Sequence, residues 1–79
     1  MYIQITVDLR NYSGSTFDLR LSNYHSIQKV VEIAWQAKGL EKEPRPGYWV
    51  RVENKQLVCP GYLTLAESGI TTGDRLEIL

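Results

Sequence analysis

Residues 26–39 read SIQKVVEIAWQAKG, and the fold turns on how this stretch is paired with its surroundings. Ile27, Val30, Val31 and Ala34 recur at i, i+3, i+4 and i+7, the spacing that lines one side of an α-helix with apolar groups. Ser26 is placed to cap the first turn, because its hydroxyl can accept from an otherwise unpaired N–H. Gly39 is placed to end the helix, as the residue best able to take a left-handed conformation. Trp35 and Ile33 fall near opposite margins of the apolar stripe. A helix with one such stripe needs one surface to cover.

The flanking segments supply that surface, because their periodicity changes from 3.6 to 2. In YIQITVDL (2–9), Ile3, Ile5 and Val7 share one face and Gln4, Thr6 and Asp8 the other, as in a half-buried strand. NYSGS (11–15) is a turn cluster. TFDLRL (16–21) alternates again, with Phe17, Leu19 and Leu21 inward, so the first 22 residues read as a hairpin. After the helix, EKEPRPG (41–47) is a charged loop whose prolines cannot continue a helix. YWVRVENKQLV (48–58) reads as two short strands around Asn54-Lys55, with Val50 and Val52 inward and Trp49, Arg51 and Glu53 on the opposite face. Thr64 and Glu67 have capping-box spacing and open a single helical turn that Gly69 ends. RLEIL (75–79) is the last strand, with Leu76 and Ile78 inward and Glu77 and Leu79 on the open face.

This order, hairpin, helix, short strands, helical turn, strand, is that of an α+β protein of the β-grasp type. The expectation is one domain over 1–79: a mixed sheet of four to five strands, one main helix across one face and one short helical turn. The right-handed crossover rule places the last strand parallel to the first, in the middle of the sheet.

Bulk properties narrow the function. Nine basic residues balance nine acidic ones and are scattered, which speaks against a nucleic-acid or anionic-membrane surface. A single cysteine, Cys59, excludes an internal disulfide and fits a reducing compartment. MYIQITVDLR does not read as a secretory leader, and IQKVVEIAW is too short and too often interrupted by polar residues to span a bilayer. A cytoplasmic chain without direct membrane insertion is expected.

NKQLV and LTLAESGITTGDRLEIL resemble the second half of ubiquitin in register, and SIQKVVEIA resembles its helix. FDLRLS, IAWQA, RVENK and GITTGDRLEIL give a closer match, at essentially full length, to the YukD/EsaB family of small ubiquitin-like proteins. That family belongs to the type VII (ESX-type) secretion systems of Gram-positive bacteria. The resemblance implies a non-enzymatic accessory or regulatory role, with no catalytic motif to carry over. It also implies a protein partner in the secretion machinery, such as a membrane component or the translocase ATPase.

Conjugation of a ubiquitin-like protein requires an exposed C-terminal Gly-Gly, whose lack of side chains lets the backbone enter an activating enzyme. Here the sequence stops at Leu79, inside the expected strand, so neither a protein modifier nor a sulfur carrier is expected. A covalent modifier using an unusual pathway is the alternative reading. A regulator of gene expression is a third, and the neutral charge disfavours direct nucleic-acid binding.

No residue constellation suggests catalysis. Cys59 lacks a predicted base or cationic neighbour and reads as a structural thiol. His25 lies just before the helix with no fixed charge beside it in sequence, and reads as a surface histidine. One cysteine and one histidine cannot build a soft-ligand zinc site, and no glycine pattern forms a phosphate cradle, so no metal or cofactor is expected. The candidate partner-binding residues are Trp49, Arg51, Glu77 and Leu79. Alternation puts all four on the open face of the sheet, and Trp and Arg are enriched among binding hot spots. By resemblance, Arg51 replaces the central isoleucine of the apolar patch of ubiquitin and Leu79 its valine, so receptors that read ubiquitin are not expected to bind. The competing structural reading lays Trp49 over the Pro44–Pro46 loop and pairs Arg51 with Glu77 as sheet-face neighbours. Trp35 is expected to pack at the core edge. An exposed strand edge permits a homodimer.

Overall fold

Strands and helix fall where the periodicities place them. The computed structural model describes residues 1–79. Its elements are β1 (Tyr2–Asp8), β2 (Thr16–Ser22), α1 (Ile27–Lys38), β3 (Val50–Val52), β4 (Leu57–Cys59) and β5 (Arg75–Ile78). The five strands form one mixed sheet in the order β2-β1-β5-β3-β4. β1 and β2 are antiparallel, with Ile5 opposite Leu19. β5 runs parallel to β1, with Val7 beside Leu76, and is antiparallel to β3, with Val50 beside Ile78. The parallel central pair is the crossover geometry expected from the sequence.

Ser26 caps α1 by accepting from the Lys29 N–H at 3.1 Å. Gly39 ends the helix at φ 58°, and its N–H turns back to the carbonyl of Gln36. Ile27, Val30, Val31 and Ala34 are all fully buried against the inward residues Ile3, Ile5, Val7, Leu76 and Ile78. At about 1.5–3 kcal/mol for each large apolar side chain removed from water, this interface is a principal source of hydrophobic stabilisation. Phe17 and Leu19 face the same way but are only partly buried, because β2 lies at the sheet edge, where α1 reaches over it with the Lys38 ammonium, 4.6 Å from the centre of the Phe17 ring.

The Thr64–Glu67 capping box closes reciprocally. The Glu67 N–H donates to Thr64 Oγ1 at 3.0 Å and the Thr64 N–H to Glu67 Oε1 at 2.9 Å. One i→i+4 bond follows, from the Ser68 N–H to the Thr64 carbonyl, before Gly69 stops the turn. Leu65 and Ile70 from this segment fill the core beneath α1. The Asn54-Lys55 connection is a 3₁₀ turn over Glu53–Lys55, closed by Gln56 at φ 53°. No helix is long and apolar enough to cross a membrane.

Candidate functional site

The open face of the sheet is built from the residues that alternate with the core. Val50 and Val52 are fully buried, so Trp49, Arg51 and Glu53 point away from the helix. Leu76 and Ile78 are buried likewise, which turns Arg75, Glu77 and Leu79 outward beside them. Register then decides who meets whom: Arg51 stands opposite Glu77 on one side and Val58 on the other, and Asp8 stands beside Glu77.

This face is a closed charge lattice rather than an apolar patch. Asp8 accepts from Arg10 at 2.6 Å and from Arg75 at 3.0 Å, and Arg10 and Arg75 both also pair with Glu53. Four side chains thus close a ring of ion pairs. Glu77 pairs with Arg51 at 3.1 Å and accepts from Asn11 Nδ2 at 2.9 Å. Asp8 and Glu77 are buried, so each charge has its partner where water cannot serve. The hydrogen bond from Arg10 holds the Asp8 carboxyl below its ordinary value against the opposing effect of burial, with help from Arg75. At the other end of β5, burial pushes Asp74 up. The ammonium of Lys55, the Asn54 amide and the Thr71 N–H together outweigh it and hold Asp74 below the usual aspartate range.

Alternation carries all four sequence-predicted residues to this face, where Arg51 and Glu77 are joined side chain to side chain and Leu79 and Trp49 backbone to backbone. Trp49 is 46% exposed, and Val58 beside Arg51 is 51% exposed. The indole rests on Gly47, where an added Cβ would lie 2.6 Å from Trp49 Nε1. Gly47 and Tyr48 are consecutive left-handed residues, at φ 90° and 52°. A bulky residue in that region is strained. The turn is held by the Gly61 N–H on the Gly47 carbonyl at 2.9 Å. It swings the chain so that Tyr48 packs toward the core while Trp49 lands on the outer face. The expected contact of Trp49 with the Pro44–Pro46 loop is therefore made one residue later, at Gly47, and the Arg51–Glu77 pair forms as the structural reading has it. Leu79 is tied at two points: its N–H donates to the Trp49 carbonyl at 3.0 Å, and Tyr12 Oη donates to its carbonyl at 2.8 Å.

The remaining candidates are structural in place. Cys59 is buried opposite Val50, its thiol within the core. Trp35 binds the loop to the helix by donating to the Lys42 carbonyl at 2.5 Å, and meets Tyr12 edge-on at 4.7 Å. Trp35, Leu40, Pro44 and Tyr48 wall an open groove of about 550 Å³ beside α1, which strand and helix patterning does not reveal because a loop forms one side. The side chains of the Asp8–Arg10–Glu53–Arg75 ring are separated by up to 67 residues, so only the topology brings them together. No group of three or more His, Cys, Asp or Glu side chains is arranged to hold a metal ion.

Comparison with known proteins agrees with this architecture. Residues 2–78 match the family model described as "WXG100 protein secretion system (Wss), protein YukD". The chain is 58% identical, over 79 residues and the whole of both chains, to the ESX secretion system protein YukD of Bacillus subtilis (strain 168). Among solved structures it resembles the ubiquitin of Caldiarchaeum subterraneum, with a TM-score of 0.75 at 18% identity, covering 99% of this chain and 91% of that one. It also resembles the ubiquitin-like domain of Plasmodium falciparum Dsk2, with a TM-score of 0.68 at 15% identity and full coverage of both chains. At such identities these structures speak to the fold alone.

Proposed function

Because the chain belongs to the YukD family of WXG100 (ESX-type) secretion proteins, we propose that it is a non-enzymatic accessory component of a type VII system. In this reading it works in the cytoplasm by docking on a protein of the secretion machinery, such as the translocase ATPase. Trp49 is the anchor, Arg51 and Glu77 set the polar surround, and Leu79 completes the surface. The supporting observation is the exposed Trp49 indole, seated on Gly47 on the sheet face that also carries the Arg51–Glu77 pair and the exposed Val58 opposite Arg51. A rigid aromatic beside an arginine, with little side-chain entropy left to lose, is the usual composition of an interface hot spot. The same face carries paired charges where ubiquitin offers its partners an apolar patch, so the partner differs from a ubiquitin receptor.

The reading also holds that the chain acts without being conjugated.

The test is crosslinking of the tagged chain inside its host, followed by denaturing purification and mass spectrometry, with an uncrosslinked control. Crosslinks to secretion membrane components that Trp49→Ala removes, with the fold retained, are expected. Partner crosslinks unchanged in Trp49→Ala remove Trp49 from the site. Covalent adducts already present in the control identify a modifier instead.

A further inference from the structure

The two edges of the sheet differ. β4 has three residues and runs directly into Pro60, which blocks further pairing. β2 has seven, with no proline or bulge within TFDLRLS. Natural proteins seldom leave an edge of that length unguarded.

We propose that β2 is a self-association edge, which pairs antiparallel with β2 of a second copy of this chain about a two-fold axis at Leu19. Backbone parity permits that register. Beyond the two ends of the β1–β2 ladder, the Leu9 N–H bonds the Ser15 carbonyl and the Asn23 N–H bonds the Met1 carbonyl, both at 2.8 Å. The odd-numbered residues of β2 therefore exchange bonds with β1, and alternation turns the N–H and C=O of Asp18 and Arg20 outward. An axis at Leu19 sets Asp18 opposite Arg20 of the second copy, and Arg20 opposite its Asp18. Each of these pairs exchanges both backbone hydrogen bonds.

Charge selects the same register. Of the charged side chains on the strands, Asp8, Arg51, Arg75 and Glu77 all have ion-pair partners within the chain. Asp18 and Arg20 have none; Asp18 accepts only from the Thr6 hydroxyl, at 2.8 Å. Both are exposed, and self-pairing at Leu19 gives each one counter-ion on the second copy, so that symmetry forms the Asp18–Arg20 pair twice. On the opposite face the same register brings Phe17 against Leu21 of the second copy, and Leu19 against Leu19. It thereby covers Phe17 and Leu19, the two inward residues of β2 that α1 leaves partly open. A two-fold axis normal to the sheet keeps both helices on one side, and the two sheets merge into one. Trp49 lies three strands or more away from this edge, so the proposal is independent of the docking surface above and either can fail alone.

The experiment is sedimentation equilibrium of the purified chain, with amide exchange followed by NMR across a concentration series. A small interface of this kind predicts a reversible dimer at up to about 1 mM protein. The Asp18 and Arg20 amides should become more protected as concentration rises. Asp18→Arg and Arg20→Asp each place like charges opposite one another, and each should weaken the dimer at least about tenfold. Mixed in equal amounts, the two variants should associate again, because each then offers the other its counter-charge; unfolded variants could not do so. A wild-type chain that stays monomeric at about 1 mM overturns the proposal. So does a dimer that both single variants retain undiminished, or a mixture that fails to recover.

Discussion

Arg51 and Glu77 face each other across β3 and β5 at 3.1 Å, yet the arginine side chain is 48% exposed and the glutamate 7%. The pair is therefore asymmetric. Water already reaches Arg51 and can take over if Glu77 is lost, whereas Glu77 is left with the Asn11 amide as its side-chain partner if Arg51 is lost. Leaving a buried charge without its partner costs more than leaving an exposed one. Arg51→Ala is expected to destabilise the chain by about 2 kcal/mol and Glu77→Gln by about 1 kcal/mol. Urea unfolding of both variants measures the order, and equal or reversed costs contradict the asymmetry.

Acid sensitivity follows from Asp8 and Asp74. The folded chain lowers both carboxyl pKa values, so the unfolded chain takes up more protons as the pH falls. Their contribution is complete above the unfolded value of ~3.9 and is lost as pH drops through the lowered folded values. The thermal midpoint should change little between about pH 7 and 5 through these groups, then fall below about pH 4. Asp74→Asn should lower stability at neutral pH and make the acid slope shallower, as calorimetry over a pH series would record. An unchanged acid slope in that variant places the sensitivity elsewhere.

Gly47→Ala tests how Trp49 is held. The new Cβ would sit 2.6 Å from the indole Nε1 and 2.8 Å from Cδ1, on a backbone at φ 90° that disfavours any side chain. A loss of roughly 1–3 kcal/mol is expected from the backbone alone. The indole N–H resonance of Trp49 should shift while that of Trp35, hydrogen-bonded to Lys42, stays in place. If the Trp49 resonance does not move, the indole is not seated on Gly47.

Helix capping gives a simpler measurement. Ser26→Ala removes the bond to the Lys29 N–H and should cost about 1 kcal/mol, whereas Ser26→Asp keeps an acceptor and should recover most of it. Chemical denaturation of the three proteins separates a capping role from general disturbance of the Ser22–Ser26 turn.

Much of the fold was legible because its determinants are local. The stripe from Ile27 to Ala34, the Ser26 cap and the Gly39 stop each depend on neighbours within a turn. The alternation in YIQITVDL and RLEIL depends only on the period of an extended chain. The faces of Trp49, Arg51, Glu77 and Leu79 were likewise readable by parity. Phe17 and Leu19 were read as inward, and they are, but how far they are covered depends on the helix, whose Lys38 side chain lies over Phe17 while both residues stay partly open at the sheet edge. The ring of Asp8, Arg10, Glu53 and Arg75 was not legible; the Asn54-Lys55 turn was, but not its 3₁₀ form over Glu53–Lys55.

By itself, then, the sequence determined the elements, their inward and outward faces and, through resemblance, the family. These follow from spacing along one chain. Only the tertiary structure decided register and partnership: that Arg51 neutralises Glu77, that Arg10 and Arg75 converge on Asp8, and that Trp49 rests on Gly47. The reason is that strand pairing joins residues dozens of positions apart. Which of two similar charges stands opposite a third depends on a register set by the whole packed core, which no local pattern encodes.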